Sequence, residues 1–165
     1  RCIKDLEAEL KGYGDRELYK FDRRLASIAI FTKYGFSPAE YASKVEARVR
    51  SLGYGDVVYV THSSVAVDVV PRGFSKYSGL REFAGCMKVA AVADSLNDAE
   101  LHLMSDYSFA PSNISVELRR FLDGSGRHVV PLPEAGELCE KVTYVARGRS
   151  TDGVVEVLRR LVSLS

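Results

Sequence analysis

The sequence has no excess of either charge: 23 Lys and Arg stand against 22 Asp and Glu, a formal net charge of +1. A polyanion footprint over the whole chain is therefore not expected, and nucleic acid is excluded as the default partner. Long hydrophobic runs are missing too. The most apolar stretches, Val65 to Pro71 and Met87 to Ala93, fall far short of the roughly 20 residues that a membrane-spanning helix requires. Cysteine is scarce: Cys2, Cys86 and Cys139 lie far apart, with no CxxC pair and no histidine at finger spacing. That excludes a disulfide framework and structural zinc, and it fits a reducing cytoplasm. No glycine-rich dinucleotide loop, P-loop or GxSxG elbow occurs, so the commonest nucleotide and serine-hydrolase signatures are absent. Internal repeats and low-complexity segments are also lacking. The first residue is Arg1 and not Met, followed by a polar helical pattern without the apolar core of a signal peptide. The expectation is a chain that begins inside a longer protein.

What is present divides into two halves. Ile3, Leu6 and Leu10 recur at helical steps before Gly12, and Arg24 to Thr32 is apolar enough for a buried strand. Ser37-Pro38-Ala39-Glu40 is a helix start, with a hydroxyl cap, proline in the first turn and a glutamate to reach back. Tyr41, Val45, Val49 and Leu52 then form one stripe, closed by Gly53. Val57 to Val60 and Val65 to Val70, joined through His62-Ser63-Ser64, read as a hairpin. Beyond Pro71-Arg72-Gly73, short apolar strands alternate with helical segments, the pattern of a parallel sheet. The strands are expected at Met87–Ala93, Tyr107–Ala110 and Lys141–Ala146, and the helices at Ala99–Met104, Val116–Leu122 and from Asp152 onward. Asp123 to Gly136, with three glycines and two prolines, reads as loop. The expected fold class is α/β. A small α+β domain over residues 1–72 precedes part of a Rossmann-like core, a parallel sheet with flanking helices, over residues 73–165.

Asp94-Ser95-Leu96-Asn97-Asp98 lies just past the strongest parallel-strand candidate, at the sheet edge where ligands of open α/β folds bind. Its two carboxylates supply hard oxygens suited to Mg²⁺; the competing reading is a helix cap, with Asp98 complementing the helix dipole. Lys76 follows Gly73-Phe74-Ser75 at a turn and could neutralise a phosphate, or simply be solvated. His62, His102 and His128 share no spacing that suggests a metal or a triad and are given no catalytic role. Arg147 and Arg149 read as a solvated basic turn, and the front-half tyrosines as core-edge residues.

In this order, the back-half features resemble the haloacid dehalogenase superfamily of phosphatases. Val89 to Asp98 (VAAVADSLND) is similar to a hydrophobic strand followed by GDSxND, and Lys76 in GFSKYSGL is similar to the family's lysine motif. Phe109-Ala110-Pro111-Ser112-Asn113 resembles its strand and asparagine turn, and Thr151-Asp152-Gly153-Val154 its closing helix. The front half resembles the α/β cap of the subgroup with archaeal phosphoglycolate phosphatases, sucrose-phosphate phosphatases and Cof-type sugar phosphatases.

The resemblance implies a Mg²⁺-dependent phosphomonoester hydrolase acting on a small phosphorylated metabolite such as phosphoglycolate or a sugar phosphate. It implies that Asp94 ligates Mg²⁺, that Asp98 supports the metal or its waters, and that Lys76 contacts the phosphoryl group. Ser95, Asn97 and Asn113 would position these groups. The sequence departs from the family in lacking a DxDGT-like motif anywhere; Asp68 has no partner at plus two. The nucleophile is thus expected on a missing N-terminal segment of the same protein, without which the parallel sheet keeps unpaired edges and this chain is inactive. Ala93 replaces the family's usual glycine. A homodimer is a further expectation. The competing function is a catalytically silent relative that binds a ligand or protein; a nucleic-acid module using Arg119, Arg120, Arg147, Arg149, Arg159 and Arg160 is opposed by the balancing acids.

Overall fold

The computed structural model describes residues 2–12, 18–22 and 24–163. The chain forms two compact units that divide between Ser75 and Lys76.

In the first unit, α1 (Cys2–Gly12), β1 (Leu18–Asp22), β2 (Ile28–Thr32), α2 (Pro38–Ser51), β3 (Val58–His62) and β4 (Ala66–Pro71) follow in sequence. The strands make an antiparallel sheet in the order β1-β2-β4-β3. Strand alternation sends Ile28 and Ile30, Val67 and Val69, and Val58 to one face, where Leu6 and Leu10 of α1 and Tyr41, Val45 and Val49 of α2 cover them. The start of α2 is as expected: the Ser37 hydroxyl accepts from the Glu40 N–H at 3.4 Å, with proline in the first turn. Its end is a Schellman turn, because the Gly53 N–H donates to Arg50 O and the Tyr54 N–H to Val49 O, both at 3.0 Å. Gly53 there holds φ 79°, which glycine adopts without a Cβ penalty. The hairpin turn is tied by Ser63 Oγ, which accepts from the Val65 and Ala66 N–H groups. Two differences from expectation stand out. The strand expected from Arg24 begins only at Ile28, and β1, which was not expected, pairs antiparallel along it. Strand β1 is five residues of mixed charge and apolar character at a sheet edge, where one-sided pairing imposes little pattern.

The second unit contains α3 (Lys76–Ala84), β5 (Ala90–Val92), a 3₁₀ turn (Leu96–Asp98), α4 (Ala99–Met104), β6 (Tyr107–Ala110), α5 (Val116–Gly124), β7 (His128–Pro131), β8 (Val142–Val145) and α6 (Ser150–Val162). Its four strands are all parallel, in the order β5-β6-β8-β7. Phe109, Leu132, Tyr144, Ala146 and Val157 form the core, with the Phe109 and Tyr144 rings side by side in register at 5.9 Å. The expected strand Met87–Ala93 contracts to Ala90–Val92, although the Tyr107 N–H still donates to Val89 O and the Ala93 N–H to Phe109 O. The expected loop Asp123–Gly136 hides β7, an edge strand whose residues are largely exposed, so neither alternation nor an apolar run marked it. Helix α6 begins at Ser150, two residues before the expected start.

On the far side of β5 no strand is paired among the described residues. Helix α3 buries none of its side chains, and Phe83 is 87% and Met87 66% exposed.

Glycine is obligatory where α6 packs on the strand ends. A Cβ on Gly153 would lie 2.5 Å from Gly148 O and 2.7 Å from Pro111 Cβ, whereas one on Gly79 in α3 meets nothing within 4 Å. Gly153→Ala should therefore cost more than about 2 kcal/mol, and Gly79→Ala should be neutral or stabilise by up to about 1 kcal/mol. Urea denaturation of the two variants measures both; equal stabilities would contradict this packing.

Candidate functional site

The site lies past the carboxyl ends of β5, β6 and β8, where a parallel sheet presents its loops on one edge. Asp94 follows β5, Pro111 to Asn113 follow β6, and Gly148 to Ser150 follow β8. These loops are joined to one another by hydrogen bonds. Asp94 Oδ1 accepts from Ser95 Oγ at 2.9 Å and Oδ2 from Asn113 Nδ2 at 2.8 Å. The Ser115 N–H donates to Asp94 O at 2.7 Å. Asn113 Oδ1 in turn accepts from the Ser150 N–H at 2.6 Å, and the Ser112 N–H donates to Gly148 O at 2.8 Å. One asparagine side chain thus spans from the carboxylate after β5 to the backbone at the start of α6. Ser150 has φ 45° without being glycine, a strained value of the kind that persists where surrounding bonds impose it.

The second cluster is an ion pair. Lys76, the first residue of α3, places Nζ 2.5 Å from Asp98 Oδ1, with the lysine side chain 61% exposed and the carboxylate 11%. Oδ1 is thus a buried carboxylate oxygen whose partner is the Lys76 ammonium. Asn97 Oδ1 is buried and has no hydrogen-bond partner. The structure therefore groups Asp94, Ser95 and Asn113, and separately Lys76 and Asp98, while Asn97 makes no hydrogen bond to either group. Ser95 and Asp98 do stand at the N-cap positions of the 3₁₀ turn and of α4, where the Asp98 charge complements the helix dipole, but neither side chain makes a capping hydrogen bond. Ser95 stands in extended conformation with its hydroxyl turned to Asp94.

Among the described residues no three His, Cys, Asp or Glu side chains converge as a metal cage. The donors present still fit Mg²⁺, which keeps several waters and uses one or two carboxylates together with substrate phosphate. Asp94 and Asp98 are two hard-oxygen donors on one loop, and the two neutral donors on Asp94 leave lone pairs on its oxygens.

Sequence reasoning passed over His102. It is fully buried on α4, with Nδ1 2.7 Å from Ser108 Oγ, which is itself 2.7 Å from Thr143 Oγ1. The available signal was Ser108 and Thr143, two hydroxyls in strands that are otherwise apolar. Burial lowers the His102 pKa to about 4, opposed by Asp98, the Ala93 backbone and Asp94 and assisted by Arg127. Of the arginines considered for nucleic acid, Arg160 is buried against the carbonyls of Pro133 and Gly136, and Arg147 pairs with Glu134. Asp68 is held by Arg24 at 3.1 Å.

No protein-family model matches the chain, and no curated protein matches it in sequence. Solved structures do. A sucrose-phosphatase from Synechocystis sp. PCC6803, solved with sucrose and phosphate, superposes at TM-score 0.65 with 19% identity, over 95% of this chain and 61% of that one. The Thermoplasma acidophilum protein 0175 gives TM-score 0.59 at 12% identity, over 97% of this chain and 61% of the other. The C-terminal domain of trehalose-6-phosphate phosphatase from C. albicans gives 0.56 at 12% identity, over 98% and 61%. The chain spans about three fifths of the length of each of these neighbours. No helix among the described residues is long and apolar enough to cross a membrane.

Well above pH 6.5 His102 is neutral in the folded and unfolded chain alike. As the pH falls from 6.5 towards 4 the unfolded chain takes up a proton that the folded one refuses, so up to about 3 kcal/mol of stability is lost. His102→Leu should remove that part of the acid sensitivity. Denaturant midpoints of both proteins at about pH 7.5 and about pH 4.5 measure it; the same drop in each would assign the sensitivity to other groups.

Proposed function

From the fold that the chain shares with phosphatases of the haloacid dehalogenase type, we propose that it is the cap and C-terminal part of a phosphomonoester hydrolase for a small phosphorylated metabolite, such as phosphoglycolate or a sugar phosphate. The observation that carries this reading is the Lys76–Asp98 pair beside the Asp94–Asn113 pair, a cation and two carboxylates where loops of a parallel sheet gather. The exposed ammonium of Lys76 is free to swing toward an anion, while the buried Asp98 stays fixed. Lys76 then donates to an oxygen of the transferring phosphoryl group and offsets its charge.

Asp94 and Asp98 would hold Mg²⁺, with Asn113 and Ser95 fixing the rotamer of Asp94 so that a lone pair on each oxygen stays available. When bound, the metal supplies charge neutralisation and orientation for in-line displacement. The attacking aspartate and the acid–base aspartate two positions beyond it lie outside this chain, which has no Asp-x-Asp pair. Their strand belongs on the open side of β5, next to the residue that leads into Asp94. It would also help to cover the bare apolar side chains of α3. The residue 1–72 segment serves as cap and sets substrate choice.

Phosphate release from a panel of small phosphomonoesters, with and without Mg²⁺, tests the reading in the complete polypeptide. Asp94→Asn should abolish Mg²⁺-dependent turnover, and Lys76→Ala should reduce it by about 10²-fold or more. Full activity of Asp94→Asn sinks the metal assignment. Absence of turnover in the unmodified protein, together with binding of the same esters, identifies a silent ligand-binding relative instead.

A further inference from the structure

Strands of a parallel sheet covered on both faces are expected to be apolar. Strands β6 and β8 break that rule at one pair of positions. Ser108 and Thr143 are register partners, both fully buried, with their hydroxyls 2.7 Å apart. The third member is His102, also without exposure, whose Nδ1 lies 2.7 Å from Ser108 Oγ. Its Nε2 has no hydrogen-bond partner. An apolar trio of the same shape would hold the core at less cost, since each buried polar group must be satisfied. Such a network is informative about what it fixes.

Its ends identify that. Thr143 stands in β8, Ser108 in β6, and His102 on α4, the short helix that continues directly from Asp98. Ala93 is the residue before Asp94, and its own N–H is bonded to Phe109 O of β6. We propose that His102 is a positioning residue: a neutral imidazole with its proton on Nε2, held by Ser108 and Thr143, that clamps the Asp94–Asp98 loop to the centre of the sheet. In this arrangement the Thr143 hydroxyl donates to Ser108 Oγ and the Ser108 hydroxyl donates to His102 Nδ1. The Nε2 proton is then the only nitrogen-bound one left on the ring. The loop is tied to β6 at its start by the Ala93 N–H bond to Phe109 O, and at its end by His102 on α4. This inference rests on the reading that Asp94 and Asp98 form the site, and it concerns a part of the molecule that touches neither phosphate nor metal.

The test uses the isotopically labelled complete polypeptide near neutral pH. Long-range proton–nitrogen spectra should show His102 with an unprotonated Nδ1 and a protonated Nε2. Amide exchange should then be followed at Ala93 and Asp98, whose N–H groups donate to Phe109 O and Ser95 O. His102→Leu and Ser108→Ala should each speed exchange at both sites by about tenfold or more, beyond the change that the lower denaturant midpoint of the same variant accounts for. His102→Gln, which can donate and accept, should restore slow exchange. Loosening of the loop beyond the global change is a result that a merely space-filling histidine does not give. A protonated Nδ1, or unchanged exchange at Ala93 and Asp98 in both His102→Leu and Ser108→Ala, overturns the proposal. Both readouts are made without phosphate and Mg²⁺, so a failure of the phosphatase reading would leave the tautomer and the exchange rates as they are.

Discussion

A carboxylate at the end of a β-strand is of chemical use only if it is aimed, and a strand end cannot aim a side chain by itself. In the second unit the aiming is done across the sheet. Asn113 uses both ends of its amide, donating to Asp94 Oδ2 and accepting from the Ser150 N–H, so the loop after β5 is positioned by the loops after β6 and β8. Much else in this region follows from that bridge. Ser150 holds a left-handed backbone, Gly153 lets the start of α6 approach Pro111 closely, and Gly148 lets the loop after β8 lie against the backbone of Asp152 and Gly153. Any side chain at those glycines would push the helix away from the asparagine it must meet.

The two clusters of the site are held in different ways. Asp94 is fixed by neutral donors that take only part of its lone-pair capacity. Asp98 is fixed by burial and paired with Lys76, so that a buried carboxylate is met by a largely exposed cation. The same economy shows in the first unit, where the Arg24–Asp68 pair satisfies a buried carboxylate on the central strand β4.

Legibility in the sequence followed physical rules element by element. Helix α2 was readable because its cap, proline, stripe and closing glycine all agree. Strand β6 was readable because it is short, apolar and bounded by turns. Strands β1 and β7 were not, because edge strands are patterned on one side at most, and β7 sits among prolines and glycines that read as loop. Asp94, Asp98, Lys76 and Asn113 could be singled out from local motifs, yet their pairing into two groups depends on contacts 19 and 22 positions apart, between Asp94 and Asn113 and between Lys76 and Asp98. His102 was invisible for a related reason: its meaning lies in Ser108 and Thr143, and the second of these is brought to it only by the sheet.

That buried hydroxyl pair also bears on how the second unit comes apart. Ser108 and Thr143 are 35 positions apart, and a parallel pairing cannot be closed by a tight turn. A half-assembled sheet with β6 formed and β8 detached would leave the serine and the histidine facing a gap, with polar groups stranded in an apolar layer. Such partly ordered states lose the Ser108–Thr143 bond and are raised in energy relative to the native chain. Unfolding of this unit is thereby pushed toward all-or-none behaviour, and the hydroxyl pair acts as a filter against intermediates.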